Sequence, residues 1–206
     1  MWTVTLKLWP QVVTAHLLGG FTTLSLLFLL SLRLSRAFAP LPKLPLSLRR
    51  IAALALLVVI GQIALGGWVS ANYAALACGL DFPKCVGQWA PPADFREGFV
   101  LWRGIGVDYE GGVLDGPARV AIQMAHRLMA ILVFGHLLVV AFRLLGSTGL
   151  RYSGGLLLVL LCAQVALGIS NVVLGLPLWV AVAHNAGAAL LLFTVVGLLA
   201  RLRAPE

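Results

Sequence analysis

The chain has 206 residues, of which 61% are hydrophobic and 11% charged, and its mean hydropathy is +1.00. That is too apolar for a soluble domain of this size, so the chain reads as an integral membrane protein. The net charge of +8 does not point to nucleic acid, because the charges are sorted between loops rather than gathered on one face.

Five apolar runs are long enough to cross a hydrocarbon core, which takes about 20 helical residues: 12–32, 51–71, 120–142, 154–174 and 178–200. Arg33, Arg36, Lys43, Arg49 and Arg50 crowd the first loop, Arg143 and Arg151 the third, and Arg201 and Arg203 follow the last run. Cationic loops stay in the cytoplasm. Asp81, Asp94, Glu97, Asp108, Glu110 and Asp115 lie instead in the long loop 72–118, which is expected outside. The expected topology is multi-pass in the cell inner membrane, with the N-terminus outside and the C-terminus cytoplasmic.

In chain order, Pro10 suits the first turn of a helix, where its missing N–H costs nothing, and His16 falls one and a half turns further on. Ala37-Phe38-Ala39 resembles a signal-peptidase site but follows Arg33 and Arg36, so 12–32 reads as a retained span. Pro40, Pro42 and Pro45 break the following segment into a basic linker. The second run ends in Gly61-Gln62-Ile63-Ala64-Leu65-Gly66-Gly67-Trp68-Val69-Ser70-Ala71-Asn72, whose small residues permit close approach of a helix or a flat ligand. The fourth run repeats the pattern as Gln164-Val165-Ala166-Leu167-Gly168-Ile169-Ser170-Asn171. Each copy precedes a run bearing Ala-His, so runs two and three, then four and five, form a two-helix repeat.

The repeat extends to the start of the chain. Setting His16 on His184 pairs Met1–His16 with Ile169–His184 without a gap, matching Val4, Leu6, Leu8, Val12 and Ala15 to Val172, Leu174, Leu176, Val180 and Ala183. Met1 then aligns with the interior of a helix end, and the expectation is that a partner helix once preceded this chain.

The loop 72–118 is long enough to be functional rather than a connector. Its Cys78 and Cys85 fit a structural disulfide, a redox-active pair or two free thiols; two ligands are too few for a zinc pattern. Cys162, in mid-run, is expected to pack as a small apolar residue, and Trp89, Trp102 and Tyr109 to dip into the headgroup region.

His16, His126 and His184 sit at one depth in their runs. Any one alone reads as a packed histidine, but polar groups inside hydrocarbon are costly and mark functional sites, and neutral imidazole is a usual axial ligand of haem iron. Helices facing one another in a bundle can each supply one such ligand. His126 and His184 occupy equivalent places in the two repeat units and are expected to clasp one haem; His16 would belong to a second site. His136, about 15 Å deeper than His126, reads as a packing histidine. Arg127 and Arg119, near the outer surface, either pair with a haem propionate or snorkel to water. The expected fold class is all-α: a polytopic membrane bundle of five helices, the last four forming a pseudo-twofold haem-binding unit.

The stretch Leu65-Gly66-Gly67-Trp68-Val69-Ser70-Ala71-Asn72-Tyr73-Ala74-Ala75-Leu76-Ala77-Cys78, then Asp81-Phe82-Pro83-Lys84-Cys85, Ala125-His126-Arg127 and Ala183-His184-Asn185, resembles the C-terminal half of the heme A synthase family of cytochrome-oxidase assembly enzymes. Trp9-Pro10-Gln11-Val12-Val13-Thr14-Ala15-His16 resembles that family's fourth span. The resemblance implies oxidation of the C8 methyl of haem O to the formyl of haem A. It implies haem b on His126 and His184, with Arg127 beside it, and His16 as one member of the histidine pair that addresses the substrate. It also implies that Cys78 and Cys85 are the outer-loop cysteine pair. Residues 1–50 would be the remnant of an N-terminal half, and 51–203 the haem-binding half. The missing half would come from upstream sequence, another chain or a second copy in a homo-oligomer. Haem O synthase, cytochrome oxidase subunits and membrane lipid are the implied partners. A b-type cytochrome that only transfers electrons and a non-haem assembly factor are the alternative readings.

Overall fold

The computed structural model describes residues 8–35, 46–104 and 107–202. The proline-bearing linker, the Ala37-Phe38-Ala39 stretch and Met1–Lys7 of the self-match lie outside them. Five long apolar helices are present: α1 (Pro10–Leu34), α2 (Leu46–Ala71), α4 (Gly116–Leu145), α5 (Arg151–Val173) and α6 (Leu178–Arg201), with a short α3 (Phe95–Gly98) in the loop. The chain is a polytopic membrane helix bundle, as the hydropathy pattern requires.

Most helices run past the apolar stretch that predicts them, because local chemistry sets the ends. Pro10 opens α1, and the Asp115 carboxylate accepts the Ala118 N–H at 2.9 Å, starting α4 at Gly116, ahead of its apolar run. Asp94 caps α3 in the same way, accepting from Glu97 N–H at 2.9 Å. Each such cap satisfies a donor that the helix cannot.

Helices α2, α4, α5 and α6 form a ring in which each touches the next and α6 returns to α2, while α4 and α6 stand diagonally and make no backbone contact. Helix α1 packs on the outside, against α2 and α6. One continuous core fills the ring at the end away from the long loop, with Ala52, Ala55, Leu137, Leu157 and Val195 among its fully buried members. A second cluster, around Trp68, Ala118 and Ile122, closes the loop end. There Trp68 Nε1–H donates to the Gly98 carbonyl at 2.9 Å, tying α2 to α3.

Between the two clusters the ring has a level without fully buried residues. No residue of α5 between Leu161 and Val172, of α6 between Val180 and Leu191, of α4 between Gln123 and Val133, or of α2 between Ile63 and Gly67 is fully buried. Close-packed interiors rarely leave such a level open on every helix at once. His126 and His184 both lie in it.

The self-match reappears in the backbone. Leu8 and Leu176, paired by setting His16 on His184, both adopt left-handed conformations, with φ of 58° and 62°, a state that costs an L-residue steric energy. Each lies two residues before a histidine-bearing helix.

Cys78 and Cys85 are joined by a disulfide, which is buried in the loop. Two expectations are corrected. Tyr109 is buried at 2% exposure, its hydroxyl donating to the Gly104 carbonyl, so it does not reach lipid headgroups. Cys162 is exposed on α5, because its side of the helix faces out of the ring. Trp89 and Trp102 are exposed, the latter edge-on to Trp9 with ring centroids 4.7 Å apart.

Candidate haem site

The site is built twice from the same parts. In the first unit, Gln62 and Gly66 stand one turn apart on α2 and meet His126 of α4. The Gln62 Nε2 lies 3.2 Å from Nδ1 and 3.3 Å from Nε2 of the imidazole, and 3.3 Å from the main-chain oxygen of His126. A Cβ on Gly66 would come to 3.4 Å from His126 Cε1. In the second unit Gln164 and Gly168 on α5 meet His184 of α6: Gln164 Nε2 is 3.0 Å from the His184 carbonyl oxygen and 3.4 Å from Nε2. A Cβ on Gly168 would lie 3.1 Å from His184 Cε1. The glycines are therefore cradles for imidazole edges.

The two imidazoles sit on diagonal helices, within electrostatic range of one another. His184 Nδ1 is buried and unpartnered, as are the Oε1 atoms of Gln62 and Gln164. Among the described residues no group of three or more His, Cys, Asp or Glu side chains could hold a metal ion. A histidine pair instead matches the two axial positions of a haem iron. Helices α4 and α6 make no backbone contact at the level of those two histidines, and glycines stand against both imidazoles, so the residues present fit such a group.

The model of the COX15-CtaA family, described as cytochrome oxidase assembly protein, matches residues 1–196. The chain belongs to this family. Curated relatives named heme A synthase share 50% identity over 95% of the chain (Shewanella oneidensis), 37% over 76% (Methylobacterium radiotolerans) and 34% over 89% (Methylobacterium nodulans). The chain spans 59%, 41% and 48% of the length of these relatives. No solved structure matches.

The other candidate residues of this family member lie elsewhere. His16 is exposed on α1, whose Leu17, Leu18 and Phe21 face the core, so it is not brought to His126 and His184. His136 Nε2 lies 2.9 Å from the Ile51 carbonyl oxygen, a packing contact between α4 and α2. Arg119 reaches back to the Asp115 carbonyl at 3.4 Å. Arg127 spans from the histidine helix to the disulfide loop: its Nη1 donates to the Lys84 carbonyl at 2.9 Å and Nη2 to the Asp81 carbonyl at 3.0 Å, with Phe82 beneath the guanidinium. Its Nε is buried and unpartnered.

Gln62 and Gln164 are the residues on the two imidazoles that sequence reasoning passed over. Both occupy the same place in the repeated segments, but attention fell on the small residues after them; a polar side chain recurring in both membrane repeats was the available signal.

Arg127→Met is expected to loosen the loop without unfolding the bundle. It removes two charge-assisted hydrogen bonds whose acceptors water can still reach, costing about 1–2 kcal/mol. Hydrogen exchange should accelerate at the amides of Cys85 and Gln88, which now pair with each other's carbonyls at 2.9 and 3.0 Å, while the α5 and α6 amides stay protected.

Proposed function

We propose that this chain is the haem b-binding portion of a heme A synthase, which oxidises the C8 methyl of haem O to the formyl of haem A for cytochrome oxidase. The observation that carries the reading is the duplicated Gln–Gly–His cradle, presented from diagonal helices. The family match and the names of the relatives support a role in haem A formation for cytochrome oxidase.

In this reading His126 and His184 are the residues that would hold haem b, each with a glycine against one edge of its imidazole. Haem b, when bound there, would supply one-electron redox chemistry. Arg127 spends both Nη groups on the loop, which leaves Nε–H for a propionate. The loop 72–118, clamped by its disulfide and by Trp68, shields this end of the ring from water. His16 faces outward from the bundle, suited to a second site that addresses haem O with residues beyond this chain. The acidic loop lies outside and the basic linkers lie in the cytoplasm.

The test is a reduced-minus-oxidised spectrum of the purified chain in lipid nanodiscs, followed by haem O turnover with the N-terminal portion of the Shewanella oneidensis relative supplied. A low-spin b-type spectrum and formation of haem A are expected. Haem b without haem A would favour an electron-transferring cytochrome, and a folded wild type without haem would sink the cofactor assignment.

A further inference from the structure

Helix α1 rests on α2 and α6 but makes no backbone contact with α5. At the end of the bundle away from the long loop this leaves a groove over α6, walled by α1 on one side and α5 on the other, with a volume of about 360 Å³. Residues of α6 from Leu190 to Arg201 line its floor, a length of about 16 Å, or half of a hydrocarbon core. The α1 wall is held in place: Phe28 stacks on Phe193 with ring centroids 4.8 Å apart, and a Cβ on Gly197 would sit 3.5 Å from both Phe28 and Leu32. Ser153, Leu156 and Leu160 form the α5 wall. Lipid covers the convex faces of any membrane bundle, whereas this is a concave apolar slot as long as one leaflet.

Its mouth is basic. Arg201 lines the groove and is half-buried, while Arg33, Arg49, Arg50, Arg143 and Arg151 at the same end are exposed. Among the described residues every Asp and Glu lies in the loop 72–118, so no carboxylate stands at this end to meet Arg201. Helix α5 begins here at Arg151 with no side chain capping it, and Ser153 of its first turn lines the groove. The positive end of the α5 dipole and its unbonded first-turn N–H groups therefore adjoin the mouth. Arg201 also suits the C-terminal dipole of α6, but that interaction needs no groove beside it.

We propose that this groove binds an anionic phospholipid, one acyl chain lying along α6 between α1 and α5 and the phosphodiester meeting Arg201 and the start of α5. The apolar walls call for a hydrocarbon chain and the basic mouth for an anion. A phospholipid of net negative charge supplies both in one molecule.

The probes are palmitoyl-oleoyl phosphatidylglycerol, phosphatidylcholine with the same chains, and glycerol 3-phosphate. Each is titrated into the delipidated full chain in detergent and read by native mass spectrometry and thermal midpoint. Phosphatidylglycerol should fill one saturable site and raise the midpoint, phosphatidylcholine should bind more weakly, and glycerol 3-phosphate should do neither. Arg201→Gln should weaken phosphatidylglycerol about fivefold and leave phosphatidylcholine unchanged, and Arg201→Lys should restore most of the loss. Arg143→Gln removes an exposed arginine at the same end but outside the groove, and should change nothing. Thr194→Trp fills the groove and should abolish the saturable site. Equal binding of the two lipids by wild type would overturn the proposal, as would equal losses in Arg201→Gln and Arg143→Gln, or a glycerol 3-phosphate effect matching that of the whole lipid. A saturable site that survives Thr194→Trp would overturn it too, and a dimer that Thr194→Trp dissolves would give the groove to a second copy instead. Should Thr194→Trp fail to fold, Leu156→Trp, at a position 52% exposed, decides by the same criterion.

Discussion

His126→Ala and His184→Ala are each expected to abolish the low-spin b-type spectrum of the purified protein, leaving the fold intact. Each imidazole lies in a level of the ring without fully buried neighbours, so truncation removes a ligand without opening a packed core. The loss in haem affinity should exceed the roughly 10–100-fold that follows removal of a ligand's outer hydrogen bond alone. A residual high-spin haem on the remaining histidine is the most that should survive. His16→Ala is the control: its ring is exposed on α1, away from the pair, and the spectrum should not change. Circular dichroism separates loss of haem from loss of fold. A low-spin spectrum retained by either pair variant would refute the bis-histidine assignment.

The largest stability effect is expected at Gly154. This residue opens α5 against the end of α4, where a Cβ would lie 2.9 Å from the Ala141 carbonyl oxygen, 2.9 Å from Leu145 N and 3.0 Å from Leu144 Cβ. Two of those atoms are backbone and cannot swing aside, so Gly154→Val must push the helices apart, at about 1–3 kcal/mol or more. The next residue is also glycine, yet a Cβ on Gly155 would meet nothing within 4 Å. Gly155→Val should therefore stay within about 0.5 kcal/mol of wild type. Denaturation of the two variants in matched detergent measures the difference; equal midpoints would mean that α4 and α5 do not cross closely at this point.

The two adjacent glycines illustrate where sequence reading stops. Hydropathy counts residues along one dimension, and burial in lipid depends on little else, so the five helices were legible. The repeat was legible too, and Leu8 and Leu176 carry it into the backbone. The approach of Gly154 to the α4 backbone was not, since its sequence neighbour looks the same. Arg127 lies near the loop end in either description, but its hold on Asp81 and Lys84 depends on how the loop folds back over α4. Tyr109 and Trp102 read alike as interfacial aromatics, and only the fold buries one and exposes the other.

The sequence by itself determined a polytopic membrane bundle and a duplicated helix pair, because those follow from composition and period. The tertiary structure decided which groups share a site. It set His126 and His184 on diagonal helices, turned His16 away from them, and brought Gln62 and Gln164 onto the rings. The reason is that contact across a bundle depends on the rotation and crossing of helices far apart in the chain, quantities that no local spacing encodes.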